Sequence, residues 1–494
     1  MKTLMNILLI TWGVLGTSCQ DWLDVKPKSE VKADVLFETE AGFKDALSGV
    51  YLLMTNSSAY GLDLTLGFND VLARQYTLNS TFCDYYDESE YRYEKENVES
   101  RIARIWLAQY NTIANVNNIL ENLETHKDVL HPTTYGIIKG ECLGLRAFLH
   151  FDLIRLFGYG NLVRQPENLK KLSLPYVKTF HKSVTPQSTT EQFLQQVVQD
   201  LEEGYTWLLN YDPYSIQPKG EDYYLPNDDE FFTKRNRYFN YFALRATQAR
   251  VYLWMGERGK ALECAREIIS RGTAFSWISE QNITNGDEKA RDLTFSTEHI
   301  LSLNVYQLQD KIDRFINPDY VQGNMNYDLL YHSRTQANDI YEIEANIGAS
   351  DYRYMQWYDK DGDQFALRKF VQVEKTQFPD NMPLIRKSEA YYIAAECLNE
   401  TDDAANRKIA IAYLEEVRKH RGIVRPLDEN LSQEEVREEI YKEYRKEFIS
   451  EGQLFYFYKR LGYTTIPGSV VPADERVYKL PMPKVEIDFG GRNE

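Results

Sequence analysis

The chain has 494 residues, 43% of them hydrophobic and 27% charged, with a net charge of −17. That is the composition of a globular protein large enough for one big core or several small ones. The acidic balance excludes a nucleic-acid binder, which needs basic patches, and no stretch beyond residue 19 reaches the roughly 20 apolar residues of a membrane helix.

At the N-terminus, Lys2 precedes an apolar run from Leu4 to Leu15, then the small residues Gly16, Thr17 and Ser18, then Cys19. A basic start, a short apolar stretch and a small-residue exit read as a secretory signal, too short to stay in a bilayer as an anchor. A cysteine at the cut point predicts a bacterial lipoprotein whose thiol takes lipid, with residues 1–18 removed and 19–35 left as a polar tether. Leu15 stands four residues before the cysteine instead of the usual three. An ordinary signal with an incidental cysteine is the alternative.

Apolar residues at helical spacing then predict a mainly α chain. The first helix spans Glu38–Met54, with Phe43, Leu47, Val50 and Met54 on one face. Others are expected at Ile102–Leu123, Ile137–Phe157, Thr190–Leu209, Tyr238–Met255, Gly259–Ser270, Pro383–Asn399, Arg407–Arg421 and Gln433–Ile449. Ala249, Tyr252, Ala261 and Ala265 fall at the small/aromatic/small/small offsets of a tetratricopeptide unit, whose turn would be Met255–Gly259. A looser second pair covers Ser388–Leu398 and Ile409–Arg418. The expected architecture is a tetratricopeptide-like helical-repeat core in one domain, 36–494, with helix pairs near 102–157, 238–270 and 384–421.

Between these helices lie long irregular segments, 56–98, 158–189, 211–237, 272–335 and 336–380, too long to be simple connectors. Binding function favours such loops on a rigid scaffold, which points to 56–98 and 272–380. Four cysteines follow Cys19 with no C-x-x-C spacing, and three sit in helical patterns, so free buried thiols are expected. The seven histidines form no H-E-x-x-H pair. Asp359, Asp361 and Asp363 lack the glycine position and distal glutamate of a calcium loop, so a turn is expected there and no metal or cofactor is implied.

In its order of motifs the chain resembles the SusD/RagB family of outer-membrane lipoproteins. The resemblance rests on Cys19-Gln-Asp-Trp-Leu-Asp-Val-Lys-Pro27, Ile105-Trp106 with Tyr110 and Ala114-Asn115-Val116-Asn117, and Glu141 through Arg146 to Phe157-Gly158. It continues with Asp351-Tyr-Arg353, Lys369-Phe370, Ile385-Arg386, Glu389 through Glu396, Arg445-Lys446-Glu447-Phe448, Glu451-Gly452-Gln453 and Leu480-Pro481-Met482-Pro483. The segment Gln453–Arg460 departs from the family pattern. The resemblance implies a lipid-anchored, non-catalytic lid over a SusC-like TonB-dependent barrel. Such a lid binds an oligosaccharide or, in the RagB-like branch, a peptide. A secreted helical glycoside hydrolase is the third reading.

Sugar capture needs aromatic faces plus amide, carboxylate or guanidinium groups for hydroxyls. Two loop clusters have that composition. One holds Asn69, Asp70, Arg74, Tyr76, Asn79, Tyr85, Tyr86 and Tyr91; the other holds Phe315, Tyr320, Asn324 and Tyr327. A third, Tyr352, Tyr354, Trp357 and Tyr358, is expected to pack.

Overall fold

The structure is a computed structural model and describes residues 33–493 apart from 79, 221–222, 321–325 and 402. Cys19, the signal and most of the tether therefore lie outside the described residues, as do Asn79 and Asn324. The described helices of eight or more residues are α1 (Glu40–Met54), α2 (Glu96–Thr125), α3 (Pro132–Phe157), α4 (Thr190–Tyr211), α5 (Tyr241–Met255) and α6 (Arg258–Arg271). They continue with α7 (Leu308–Ile316), α8 (Lys387–Asn399), α9 (Ala404–His420), α10 (Gln433–Glu447) and α11 (Leu454–Leu461).

Local chemistry sets their ends. Pro132 opens α3, where its missing N–H costs nothing, and α4 and α10 begin with reciprocal capping boxes, Thr189/Gln192 and Ser432/Glu435. Gly256 ends α5 in the left-handed region, φ +82°, which lets α6 fold straight back. Ala249, Ala261 and Ala265 are buried in that hairpin. Each helix packs on the next, from α1 through α6, then α6 on α8, α8 on α9 and α9 on α10, a tetratricopeptide-like stack.

The loop regions hold strands that periodicity did not reveal. β1 (Thr77–Leu78), β3 (Leu330–Ser333), β5 (Gln364–Leu367) and β4 (Tyr358–Asp361) form an antiparallel sheet in that order; β2 (His299–Asn304) pairs with β6 (Asn381–Arg386). β6 takes the expected start of α8, because a short apolar run such as Met382-Pro-Leu-Ile385 fits either element until a partner strand is known. The Asp359–Asp363 stretch is the β4–β5 hairpin, turning at Gly362, φ +52°. Thr77 pairs with Tyr331 and Leu78 with Leu330. That register brings the loop after β1 against the loop before β3, across some 250 residues of sequence.

Many of the charged residues behind the family resemblance close buried ion pairs. Arg146 meets Asp200 at 2.6 Å, Arg235 meets Glu141 at 2.7 Å, and Arg250 meets Glu389 at 2.6 Å. Arg353 sits 2.7 Å from both Asp351 and Glu447; Glu447 also takes Arg386 and Arg421, and Lys369 reaches Glu451. These are the connections that lock helices and loops into one body.

Candidate functional site

Much of the first predicted cluster is internal. Asn69 donates to the Tyr456 hydroxyl at 2.8 Å, and Asp70 accepts the backbone N–H groups of Ser450 and Gly452, the latter at 2.9 Å. Burial pushes the Asp70 carboxyl up to about 7 even though those donors oppose it. The Tyr76 hydroxyl lies 3.2 Å from Asp70 and from Ser450, Tyr91 donates to the Leu72 carbonyl at 2.9 Å, and Tyr85 donates to Asp63 at 2.7 Å. Phe315 is buried against the Tyr85 ring at 5.2 Å. Asn69, Asp70, Tyr76, Tyr85, Tyr91 and Phe315 therefore do not present a ligand surface, contrary to the sequence expectation. Composition alone does not separate a tyrosine that hydrogen-bonds inside a core from one that greets a ligand. Arg74 is engaged with Glu90 at 3.1 Å and the Gly468 carbonyl at 3.2 Å, while half-buried Tyr86 lies beneath Arg92.

Asp70 also explains the Glu451-Gly452 motif. Gly452 has φ +70°, and a Cβ there would stand 2.2 Å from the Leu64 carbonyl oxygen. Gly452→Ala is expected to destabilise the protein by about 2–3 kcal/mol in urea unfolding, from backbone strain and displacement of that carbonyl. Gly286→Ala, where a Cβ meets nothing within 4 Å, should change little.

Two predicted residues do reach solvent, Tyr320 and Tyr327, 38% and 37% exposed, and they are joined by one the sequence reading missed. Phe82 is 80% exposed and packs edge-on against Tyr327 with ring centroids 5.9 Å apart. The turn Ser80–Cys83 holds Phe82 outward: the Ser80 hydroxyl accepts the Phe82 N–H at 3.0 Å and the Ser80 carbonyl the Cys83 N–H at 3.1 Å. A lone phenylalanine reads as core by default. The one local hint was the Ser-Thr pair that puts it at a turn tip.

The base under these rings is ionic. The Asp84 N–H donates to Asp328 at 2.8 Å, and Arg314 at the end of α7 reaches Asp328 at 2.6 Å and Asp84 at 3.6 Å. The hydrogen bond to Asp328 holds the Arg314 pKa above its ordinary value. Arg101 from α2 joins Asp84 at 3.1 Å and Glu88 at 2.7 Å, with its guanidinium 4.2 Å over the Tyr85 ring. Asn326 donates to the carbonyls of Arg314 and Asn317 at 3.0 and 2.8 Å and so pins both ends of the loop that carries Tyr320 and Tyr327. Buried Tyr85 of the first cluster and Phe315 of the second pack together within this base, under Arg101.

Elsewhere, a cleft of about 590 Å³ between the α5–α6 turn, α8, α10 and α11 is lined by closed ion pairs, Glu400–Arg437 and Glu396–Arg460. A shallower one of about 750 Å³ lies beside Tyr93 and Met482. Trp357 and Tyr358 pack as expected, the first donating to the Leu293 carbonyl and the second hydrogen-bonded to His332. The four described cysteines are free and buried. Among the described residues, no three of His, Cys, Asp and Glu stand close enough to hold a metal, and no helix is long and apolar enough to cross a membrane.

Residues 21–220 match a SusD-like family profile described as starch-binding and associating with the outer membrane, and residues 250–468 match the SusD family profile; together they span most of the chain. The chain belongs to the SusD family. It is 22% identical to SusD-like protein P2 of Formosa agariphila over 98% of this chain and 97% of that one. A match to SusD-like protein P25 of the same organism, 21% identical, covers 42% of this chain and 39% of P25. In structure, a SusD superfamily protein from Bacteroides thetaiotaomicron superposes with a TM-score of 0.71 at 23% identity, over 92% of this chain and 98% of that one. Surface glycan-binding protein A from the same organism, solved with laminarihexaose, gives 0.63 at 16% identity over 91% and 97%. These likenesses establish a SusD fold for the chain.

Proposed function

We propose that this SusD protein is a non-catalytic, surface-exposed lipoprotein that binds an oligosaccharide on the Phe82–Tyr327 face and hands it to a SusC-like TonB-dependent barrel in the outer membrane. The observation that carries the reading is the pair of exposed rings over a braced base. Rings held this way offer apolar faces to sugar C–H groups without an ordering cost on binding. The glycan-bound structural neighbour and the starch-binding description of the matched profile support the ligand class. Residues 36–494 act in this reading as one binding unit on a tether, 19–35, that starts at lipidated Cys19.

A glycan array followed by calorimetry on the purified protein tests the ligand. Retention of an oligosaccharide that stays intact is expected; retention of peptides and no glycan would move the protein to the RagB-like reading. The anchor has its own test. Cys19→Ala is expected to abolish palmitate labelling and shift the protein out of the outer-membrane fraction. Capture of the lipidated protein from membranes is expected to bring a TonB-dependent barrel with it.

A further inference from the structure

We infer that the Phe82–Tyr327 face takes an uncharged glycan and rejects uronate-bearing and sulfated ones, an inference that rests on reading this face as the glycan site. Among the described residues next to the rings in sequence, Tyr76–Leu78, Ser80–Cys83, Tyr320, Asn326 and Tyr327 carry no formal charge. An acidic sugar is held by guanidinium or ammonium groups that point donors at its carboxylate or sulfate. The arginines of this base are already paired with carboxylates. Arg314 is neutralised by Asp328 at 2.6 Å with Asp84 at 3.6 Å, and Arg101 by Glu88 and Asp84. Arg92 pairs with Asp87 at 3.2 Å, and the Lys311 ammonium donates to the Thr55 carbonyl at 3.0 Å.

To recruit Arg314, an anionic ligand would have to displace Asp328. That carboxylate is 5% exposed, and displacement would leave it buried beside a second negative charge. Exposed Asp319 and half-exposed Asp84 add further repulsion, on a chain whose net charge is −17. A neutral sugar meets none of these costs. It needs apolar ring faces, which Phe82 and Tyr327 supply, and uncharged hydrogen-bonding groups such as the hydroxyls of Ser80, Thr81 and Tyr327.

The test is an array and calorimetry with the full protein against two panels. The neutral panel holds laminari-, malto-, xylo- and manno-oligosaccharides; the acidic one holds oligogalacturonates, alginate oligomers and sulfated galactans. Expected is binding confined to the neutral panel, with an affinity that changes less than about twofold between 50 and 500 mM NaCl and falls roughly 5- to 30-fold in Phe82→Ala. Tighter binding of an acidic glycan, weakened by salt and by Phe82→Ala, would overturn this inference and leave the glycan site standing. A neutral glycan whose affinity ignores Phe82→Ala, or no binding in either panel, would overturn the site reading and this inference together.

Discussion

Replacing Glu447 by Ala is expected to destabilise the protein by about 3–5 kcal/mol, the cost of stripping a partner from buried charges. The two Glu447 oxygens accept from Arg353, Arg386 and Arg421, and all four side chains are fully buried. Without the carboxylate, three guanidinium groups from three separate parts of the chain keep their charge in a water-free interior and lose their common acceptor. The comparison is Glu434→Ala, which opens the exposed pair with Arg437 at 2.7 Å and should cost less than about 1 kcal/mol. Equilibrium urea unfolding distinguishes them, and equal effects would show that the buried hub does not hold the fold.

The same residue carries a pH signature. Burial alone would raise the Glu447 pKa, but Arg386, Arg421 and Arg353 more than reverse this and hold it well below the ordinary carboxylate range. A pKa depressed by folding contributes stability that is fully present above the unfolded value, about 4.3, and is lost as pH falls through the folded one. The stability gap between wild type and Glu447→Gln should therefore be constant from pH 8 to about pH 5 and narrow only below about pH 4. A gap that closes between pH 7 and 5 would contradict this sign.

The second large effect belongs to the ligand face. Phe82→Ala and Tyr327→Ala are each expected to lower oligosaccharide affinity by about 1–2 kcal/mol, roughly 5- to 30-fold, with about 100-fold or more lost in the double variant. Phe82 is mostly exposed, so its removal should leave urea stability within about 0.5 kcal/mol of wild type. Tyr85→Ala should behave in the opposite way: its ring is fully buried, with Arg101 stacked 4.2 Å above it and its hydroxyl on Asp63. Stability should fall first, and any loss of affinity would follow from the sagging base. If Phe82→Ala binds as wild type does, the face is not the binding site.

These pairs of outcomes track how far local sequence reaches. The helices were legible because their apolar spacing is local, although that spacing placed the start of α3 at Ile137 and the helix begins at Pro132. The α5–α6 hairpin was legible for the same reason: three alanines at fixed offsets are what close packing of two helices demands. The strands were not. β1 is two residues long, and β6 resembles the start of a helix until β2 is beside it.

The candidate site divides in the same way. The sequence alone determined that this is an acidic, helical-repeat protein of the SusD pattern, with polar aromatic loops near 56–98 and 272–380. It also named Tyr320 and Tyr327. Only the tertiary structure decided which aromatics face water. Pairing of Thr77 with Tyr331 brings the loop of Phe82 against that of Tyr327, while Tyr85 turns inward to Asp63 beneath Arg101. The physical reason is that side-chain exposure in a loop depends on what packs beneath it, here residues some 250 positions away, whereas helical periodicity is written within a few turns.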